Sequence, residues 1–262
     1  EKTHKELELL HKNEAFKVGK QFSKTEIFPL VSTTAIKGST KETKEWIQDI
    51  NNIHLISLPE NREFNGTLRD YQEYCVKWLH FLKTSNFGGI LADDMGLGKT
   101  IQTLAFSSNT SKKPILIVGP TNVVYNWEKE INSFCPQKSV LIYAGSNRKN
   151  LQKKKANYII SSFGILKNDI EWFRSQEFSV MVIDEAQYIK NQKSQISQAL
   201  KQINADFKLA LTGTPIENHL QDLWNIMDTV MPQYLGPYSE FMSHVKNDQL
   251  TVLKNRIKPF LL

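Results

Sequence analysis

Hydrophobic and polar positions divide the chain into two unlike parts. Residues 1–63 are rich in Lys, Glu, Thr and Asn and carry only short apolar stretches. From Leu68 onward, short apolar runs alternate with amphipathic segments, which is the pattern of parallel strands joined by crossover helices. We therefore predict a doubly wound, mostly parallel α/β sheet flanked by helices over 64–262, and an N-terminal appendage or linker of unknown role over 1–63.

Six apolar runs are predicted as strands, and several are apolar throughout, as strands covered on both faces are. They are 89–92, 114–118, 140–143, 158–161, 180–183 and 208–211. Helical periodicity predicts helices at 69–82, 99–107, 123–134, 149–155, 194–203 and 219–231, with a weaker pattern at 43–50. Ligands bind outside the carboxyl ends of the strands in such sheets, so residues that follow a strand are the candidates for function.

A phosphate-binding loop is predicted where the first strand ends. The residues that follow it are Asp93-Asp94-Met95-Gly96-Leu97-Gly98-Lys99-Thr100. Glycines allow backbone N–H groups to converge on phosphate oxygens at a helix N-terminus, while Lys99 would neutralise the β and γ phosphates and Thr100 would offer a hydroxyl to Mg²⁺. The strict P-loop pattern has glycine where this chain has Asp93, so a strand, turn and helix without a ligand is the alternative for this segment taken alone.

Two adjacent carboxylates follow the strand at 180–183. Asp184 is suited to hold the Mg²⁺ shell, and Glu185 is suited to orient and deprotonate an attacking water. Acid pairs also occur at strand ends simply because a helix N-terminus favours negative charge. A phosphate loop about 85 residues upstream makes the catalytic interpretation the stronger one.

Charge and cysteine content narrow the class of protein. The chain has 33 basic and 27 acidic residues, a formal charge of +6 and a pI near 9.1, which mildly favours polyanionic partners. The segment between Gly145 and Asn168 has no acid and six basic residues, which are Arg148, Lys149, Lys153, Lys154, Lys155 and Lys167. Such a segment is either a solvated surface or a contact with nucleic acid. Two cysteines and no long apolar run lead us to expect a cytoplasmic protein with neither disulfides nor membrane insertion.

Several motifs in order resemble the Snf2 branch of superfamily 2 helicase-like ATPases, from about Phe64 to Leu262. They are Leu-Arg-Asp-Tyr-Gln at 68–72, the loop at 93–100, Pro-Thr at 120–121 with Tyr-Asn-Trp at 125–127, Ser-Ser-Phe-Gly at 161–164, Asp-Glu-Ala-Gln at 184–187, Leu-Thr-Gly-Thr-Pro at 211–215, and Lys-Pro-Phe-Leu-Leu at 258–262. In that family Asp is usual at the position of Asp93. The chain differs in having Asp94 where Glu is commoner and Gln187 where His is commoner.

The resemblance implies the N-terminal RecA-like lobe of a DNA-dependent ATP hydrolase that uses ATP and Mg²⁺. The residues expected to bind the nucleotide are Gln72, which would contact the adenine edge, and Asp94, Met95, Gly96, Leu97, Gly98, Lys99 and Thr100. Catalysis falls to Lys99, Asp184 and Glu185, with Thr100 and Asp184 at the metal. The residues expected to contact the DNA backbone are Pro120, Thr121, Ser161 and Ser162. Those expected to couple the ATP site to DNA are Gln187, Thr212, Gly213 and Thr214.

The resemblance also implies partners. The whole protein would act on double-stranded DNA with little sequence specificity, and a protein substrate on that DNA is not identified by the sequence. A second RecA-like lobe in cis, carrying an arginine finger, would follow residue 262, so we expect this chain to be a fragment that is nearly inactive alone. Short spacings between motifs favour a compact bacterial-type member, which would be associated with the nucleoid.

Two other functions agree less well with the sequence. RNA helicases of the DEAD-box type typically carry Ser-Ala-Thr where this chain has Thr212-Gly213-Thr214, which disfavours that class. A degenerate lobe that only recruits partners is disfavoured because the candidate residues for nucleotide chemistry are all present.

Overall fold

The computed structural model describes residues 53–58, 60–109, 113–189, 194–213, 220–246 and 250–262. The helix predicted at 43–50 and most of the predicted appendage lie outside these ranges, as does Thr214. Lys190 and Asn191, which follow the Asp-Glu-Ala-Gln motif, also lie outside them.

A six-stranded parallel sheet forms the centre of the lobe, and its strand order is β1-β8-β6-β2-β4-β3. The strands are β1 Gly89–Leu91, β2 Ile115–Gly119, β3 Val140–Ile142, β4 Tyr158–Ser162, β6 Val180–Ile183 and β8 Lys208–Leu211. Ile117 lies between Ile160 and Val182, and all three are buried because helices cover both faces of the sheet. The parallel sheet and its six strands confirm the prediction to within one residue at each end.

Helices flank this sheet. They are α1 Asp70–Thr84, α2 Lys99–Ser107, α3 Val124–Phe134, α4 Phe163–Asn168, α5 Ile170–Arg174, α6 Gln195–Lys201, α7 Leu220–Val230, α8 Tyr238–Lys246 and α9 Leu250–Ile257. A separate parallel pair joins β5 Glu177–Phe178 to β7 Asn204–Ala205. Short 3₁₀ turns occur at Ile53–Leu55, Thr121–Val123, Arg148–Leu151, Ala186–Ile189 and Lys258–Phe260. None of the helices in the described ranges is both long and apolar enough to cross a bilayer.

The strand order brings the functional segments to one edge. Strands β1, β8 and β6 are neighbours, so their carboxyl ends place residues 92–98, 212–213 and 184–185 side by side. Thr212 N donates to Leu91 O at 3.1 Å, which ties the end of β8 to the end of β1. Three motifs that are far apart in sequence therefore meet at the carboxyl edge of the sheet.

The helix predicted at 149–155 is wrong. Only one 3₁₀ turn forms, at Arg148–Leu151, and turns and extended chain follow it. Leu151 is the one apolar side chain in the predicted segment, so a helix there would have no face to bury. The basic run is consequently a surface loop, which we call the basic loop (residues 145–155).

The described part of the predicted appendage packs on the lobe. Ile53 is buried in the hydrophobic core, and Asn61 Nδ2 donates to Ala105 O and Ser108 Oγ at the end of α2, both at 2.8 Å. Glu63 forms an ion pair with Lys138. The described residues of the predicted appendage therefore contact the lobe, and the domain boundary at residue 63 stays a prediction.

The last residues of the chain lie against the strand that leads into the phosphate loop. Leu261 forms a parallel bridge with Ile90, Leu262 N donates to Ile90 O at 3.0 Å, and Ala92 N donates to Leu262 O at 2.6 Å. Trp78 Nε1 in α1 donates to Pro259 O at 3.0 Å. The segment at 258–262 is thereby fixed beside the entrance to the loop at 92–98.

Candidate active site

The loop between β1 and α2 has the backbone geometry of a phosphate cradle. Gly96 and Gly98 adopt φ of 88° and 85°, and Gly98 is the N-cap of α2. A Cβ on Gly98 would lie 2.7 Å from Gln72 Nε2, so a side chain there would be both strained and obstructed. Backbone N–H groups are directed out of the helix N-terminus at Lys99, as phosphate binding requires.

Lys99 is folded back over this loop. Its Nζ donates to Asp93 O at 2.6 Å and to Asp94 O at 3.1 Å. A Cβ on Gly213 would lie 3.7 Å from that Nζ and 2.9 Å from Met95 Cγ. The structure thus brings Lys99, Met95 and Gly213 together, although nothing in their sequence spacing requires it.

Gln72 lies under the loop. Only 7% of its surface is exposed. Its Nε2 donates to Leu97 O at 3.1 Å, and its Oε1 accepts from Arg69 N at 3.0 Å. The Gln72 carboxamide therefore joins the start of α1 to the phosphate loop. The predicted contact with an adenine edge would use its remaining hydrogen-bonding capacity, and it stays a proposal.

Asp184 is held by two donors at the end of β6. Trp127 Nε1 donates to Asp184 Oδ2 and the backbone N of Glu185 donates to Asp184 Oδ1, both at 2.8 Å. Burial raises the pKa of Asp184, while those two hydrogen bonds and the positive charge of Lys99 act in the opposite direction. The carboxylate is thus fixed in orientation and lies within the electrostatic influence of the Lys99 ammonium group.

Trp127 is a site residue whose role the sequence did not reveal. It lies in α3, is 1% exposed, and belongs to the segment that resembles a DNA-contacting motif. Its indole N–H instead reaches Asp184 across 57 positions of sequence. A buried tryptophan whose N–H needs a partner was the available signal, but the identity of that partner depends on the fold.

Glu185 is connected to the end of β8 through Gln187. Thr212 Oγ1 donates to Gln187 Oε1 at 3.0 Å, and Gln187 Nε2 donates to Glu185 Oε2 at 2.5 Å. Glu185 has φ of 52°, a conformation that is uncommon for residues other than glycine and that ends the strand abruptly. The three side chains form a continuous hydrogen-bonded chain, called here the coupling chain (Thr212, Gln187, Glu185).

The donor set fits Mg²⁺ bound together with a nucleotide. Thr100 lies half-buried in the first turn of α2, and Asp184 lies at the end of β6. No cluster of three or more His, Cys, Asp or Glu side chains that could enclose a metal occurs within the described ranges. Mg²⁺ commonly takes one or two protein oxygens and fills its shell with phosphate oxygens and water, so two ligands agree with this chemistry.

The four residues predicted to contact DNA differ in their exposure to solvent. Thr121 is exposed and Pro120 half-buried at the turn after β2. Ser162 caps α4 by accepting a hydrogen bond from Ile165 N at 3.4 Å. Ser161 is fully buried and donates to Tyr143 O at 2.9 Å, so its hydroxyl is already engaged inside the fold, and its contact with DNA stays a prediction. Its position as the penultimate residue of β4 turns it into the core.

Residues 71–262 match the family model described as the SNF2-related domain. The chain belongs to this family. The match spans the phosphate loop, the Asp184-Glu185 pair and the end of β8, so the residues assembled at the carboxyl edge of the sheet lie within the family's own region.

Curated relatives agree with this membership. The chain is 42% identical over 224 residues to a Mycoplasma pneumoniae protein named as an uncharacterized ATP-dependent helicase, covering 81% of this chain and 22% of that protein. It is 39% identical over 198 residues to the helicase swr1 of Schizosaccharomyces pombe, covering 71% of this chain and 15% of that protein. The chain therefore spans about a fifth of the length of these relatives.

A solved structure shows the same fold. The Sulfolobus solfataricus SWI2/SNF2 ATPase core in complex with dsDNA superimposes with a TM-score of 0.73 at 38% identity, covering 79% of this chain and 46% of that one. A second structure, of the SWI2/SNF2 ATPase core domain of the same organism, gives a TM-score of 0.69 at 37% identity. The lobe is a RecA-like α/β domain of the SNF2 type.

Proposed function

We propose that this chain is the ATP-binding first lobe of an ATP-dependent double-stranded DNA translocase or remodeller. The observation that carries the proposal is the convergence of Lys99, Asp184 and the coupling chain at the carboxyl ends of β1, β6 and β8. Relatives named as ATP-dependent helicases and the dsDNA complex of the Sulfolobus core support it. A degenerate binding module would have no need to keep all of these groups in place.

Each residue has a chemical task in this proposal. Backbone N–H groups of the loop and the Lys99 ammonium hold the β and γ phosphates, which carry the negative charge that grows during phosphoryl transfer. Thr100 and Asp184 would hold Mg²⁺, which would supply positive charge to neutralise phosphate oxygens. Glu185, oriented by Gln187, accepts a proton from the attacking water.

The other wall of the ATP cleft would belong to a second RecA-like lobe in the same protein. An arginine finger of the kind expected there contributes about 10³ to 10⁵ in turnover, so the first lobe alone would hydrolyse ATP very slowly. Met95 is 72% exposed and Leu97 38% exposed beside the phosphate loop, which leaves apolar surface for that second wall. Alternate closure and opening of the two lobes would step the protein along one DNA strand.

ATP hydrolysis by the full-length protein tests the proposal. We expect linear double-stranded DNA to stimulate turnover at least about tenfold, since DNA binding would complete the two-lobe site. Single-stranded DNA and RNA serve as controls and should stimulate much less. Stimulation by RNA alone would favour an RNA helicase instead, and turnover indifferent to every nucleic acid would contradict the proposal.

The basic loop is a second proposed contact with DNA, and the structure changes which residues carry it. Arg148 donates to Asp169 through Nε at 2.6 Å and Nη2 at 3.2 Å, and this pairing holds the pKa of Asp169 below its usual range. Arg148 therefore fixes the loop to the helices after β4. Four lysines of the loop are exposed, and they are Lys149, Lys153, Lys154 and Lys155.

Replacing these four lysines with Gln should weaken DNA binding and reduce its salt dependence. Each phosphate contact contributes about −0.9 to the slope of log affinity against log salt, so the slope should fall by roughly that amount for every lysine engaged. Binding of a fluorescent DNA duplex titrated at several salt concentrations measures this. Lys254→Gln removes an exposed lysine from α9 and controls for charge in general. An unchanged slope in the fourfold variant would make the basic loop an ordinary solvated surface.

A further inference from the structure

Three side chains donate hydrogen bonds to one carbonyl of the phosphate loop. Leu97 O accepts from Tyr71 Oη at 3.1 Å, from Gln72 Nε2 at 3.1 Å and from Gln102 Nε2 at 3.2 Å. A carbonyl oxygen has two lone pairs, so three donors are more than it needs for satisfaction. The donors come from α1 and α2, the two helices that flank the loop.

The direction of this carbonyl fixes the direction of the next N–H group. The described peptide bonds are all trans, and in a trans peptide the C=O of one residue and the N–H of the next point in opposite directions. Because the buried side chains of Gln72 and Gln102 hold Leu97 O toward the interior, the N–H of Gly98 is directed the other way, toward the side where phosphate would bind. The hydrogen bonds to Leu97 O therefore set the orientation of a cradle donor.

Gln102 does more than the other two donors because it spans the loop. Its Nε2 also donates to Asp93 Oδ2 at 3.3 Å, so one carboxamide connects the first residue of the loop with a residue near its end. This contact supplies a physical reason for Asp at position 93, where the strict P-loop pattern has glycine. The carboxamide orientation is defined, since both partners are acceptors and require the nitrogen rather than the oxygen.

Holding Gln102 in this place has a cost. The residue is fully buried, and its Oε1 has no hydrogen-bond partner among the described residues. An unsatisfied buried acceptor destabilises a fold, and such groups in native proteins call for an explanation in function. An apolar side chain of the same length would remove that penalty, so stability alone does not account for glutamine here.

We propose that Gln102 is a positioning residue that holds the phosphate loop in its nucleotide-binding conformation through Asp93 and Leu97. The inference rests on the proposed binding of ATP at this loop. It assigns to α2 a second task beyond its N-terminus: the helix begins at Lys99 and carries, in its first turn, the Gln102 side chain that shapes the loop before it. Tyr71 is an auxiliary donor to the same carbonyl.

Gln102→Met in the full-length protein tests this role. Methionine keeps the length and volume of glutamine but donates no hydrogen bond. We expect the affinity for a fluorescent ATP analogue to fall about tenfold, because the cradle is no longer preorganised. Thermal unfolding should be unchanged or shifted upward, and hydrogen exchange of the peptide covering 92–98 should accelerate. Weaker binding without lower stability is a combination that a merely structural residue would not give.

Two further variants make the result decisive. Tyr71→Phe removes one donor from an exposed position and should weaken binding of the ATP analogue by a smaller factor, about two- to threefold. This variant still tests the role of the Leu97 carbonyl if Gln102→Met fails to fold. Ser107→Ala removes a buried hydroxyl from the same helix, where it bonds with Tyr158 Oη at 3.2 Å, and should leave nucleotide affinity unchanged.

The outcomes separate this inference from the proposed function. If the wild-type protein fails to bind the analogue, the proposed ATP site itself is wrong. If the wild type binds and Lys99→Ala does not, while Gln102→Met and Tyr71→Phe bind as the wild type does, the positioning role is overturned and the ATP site stands. Loss of stability in Gln102→Met with unchanged affinity would likewise overturn it.

Discussion

Lys99→Ala and Glu185→Gln are each expected to abolish DNA-stimulated ATP hydrolysis by the full-length protein. In the proposed function Lys99 supplies the positive charge inside the phosphate loop, and Glu185, which accepts a hydrogen bond from Gln187, supplies the base. Removing a group that stabilises developing charge typically costs about 10² to 10³ in turnover, and loss of the base should cost a similar factor. Phosphate release measured with saturating double-stranded DNA should therefore fall to background in both variants.

The two substitutions should differ in nucleotide binding. Lys99→Ala would remove the proposed phosphate contact and should weaken binding of an ATP analogue, whereas Glu185→Gln keeps the shape of the side chain and should bind normally. Both residues are half-buried at the edge of the lobe, so thermal unfolding should change little. Normal turnover in either variant would contradict the assignment of this edge as a hydrolytic site.

The strands were predictable because burial on both faces leaves a strong signal in the sequence. Val180–Ile183 is four consecutive buried apolar residues ending in two acids, and Ile115–Gly119 is a similar run ending at Pro120. Such runs are too short for helices, so they are assigned as strands, and the turn residues that bound them define the length of each strand. The carboxyl edge of the sheet, and with it the position of Asp184, followed directly.

Elements without a continuous apolar pattern were missed or misassigned. The basic loop contains lysines that tolerate a helix but offers only Leu151 to bury, and the structure has a single turn there. The acid that pairs with Arg148 is Asp169, one residue beyond the stretch that appeared free of acids. The short helices at Phe163–Asn168 and Ile170–Arg174 were missed because each is too short to show a helical apolar period, and because Gly164 in the first of them is unfavourable inside a helix.

Within the candidate site, residue identity was predictable and connectivity was not. The sequence singled out Lys99, Asp184 and Thr212, but no spacing rule joins Trp127 to Asp184 or Gln102 to Leu97. Those contacts depend on which strands are neighbours and on how α2 and α3 pack against them. Burial was equally hard to predict. Ser161 has a hydroxyl suited to a phosphate contact and follows the apolar part of a strand, but the fold buries it completely.

Breaking the coupling chain should separate nucleotide binding from DNA stimulation. Gln187→Leu removes the amide that donates to Glu185 and accepts from Thr212, while Thr212→Val removes only the distal hydroxyl without changing side-chain shape. We expect the DNA-stimulated rate to fall about 10- to 100-fold in Gln187→Leu and by a smaller factor, roughly tenfold, in Thr212→Val. Affinity for an ATP analogue should be nearly unchanged in both, since neither side chain donates to the phosphate loop.

The double variant decides whether these residues act as one unit. If Thr212 works through Gln187 on Glu185, the rate of Gln187→Leu combined with Thr212→Val should match that of Gln187→Leu alone, because the distal hydroxyl has nothing left to orient. Independent contributions would instead multiply the two losses. Turnover with and without DNA, measured for the four proteins of the cycle, distinguishes these cases. Multiplicative losses, or wild-type stimulation in Gln187→Leu, would contradict transmission along this chain from the end of β8 to the catalytic base.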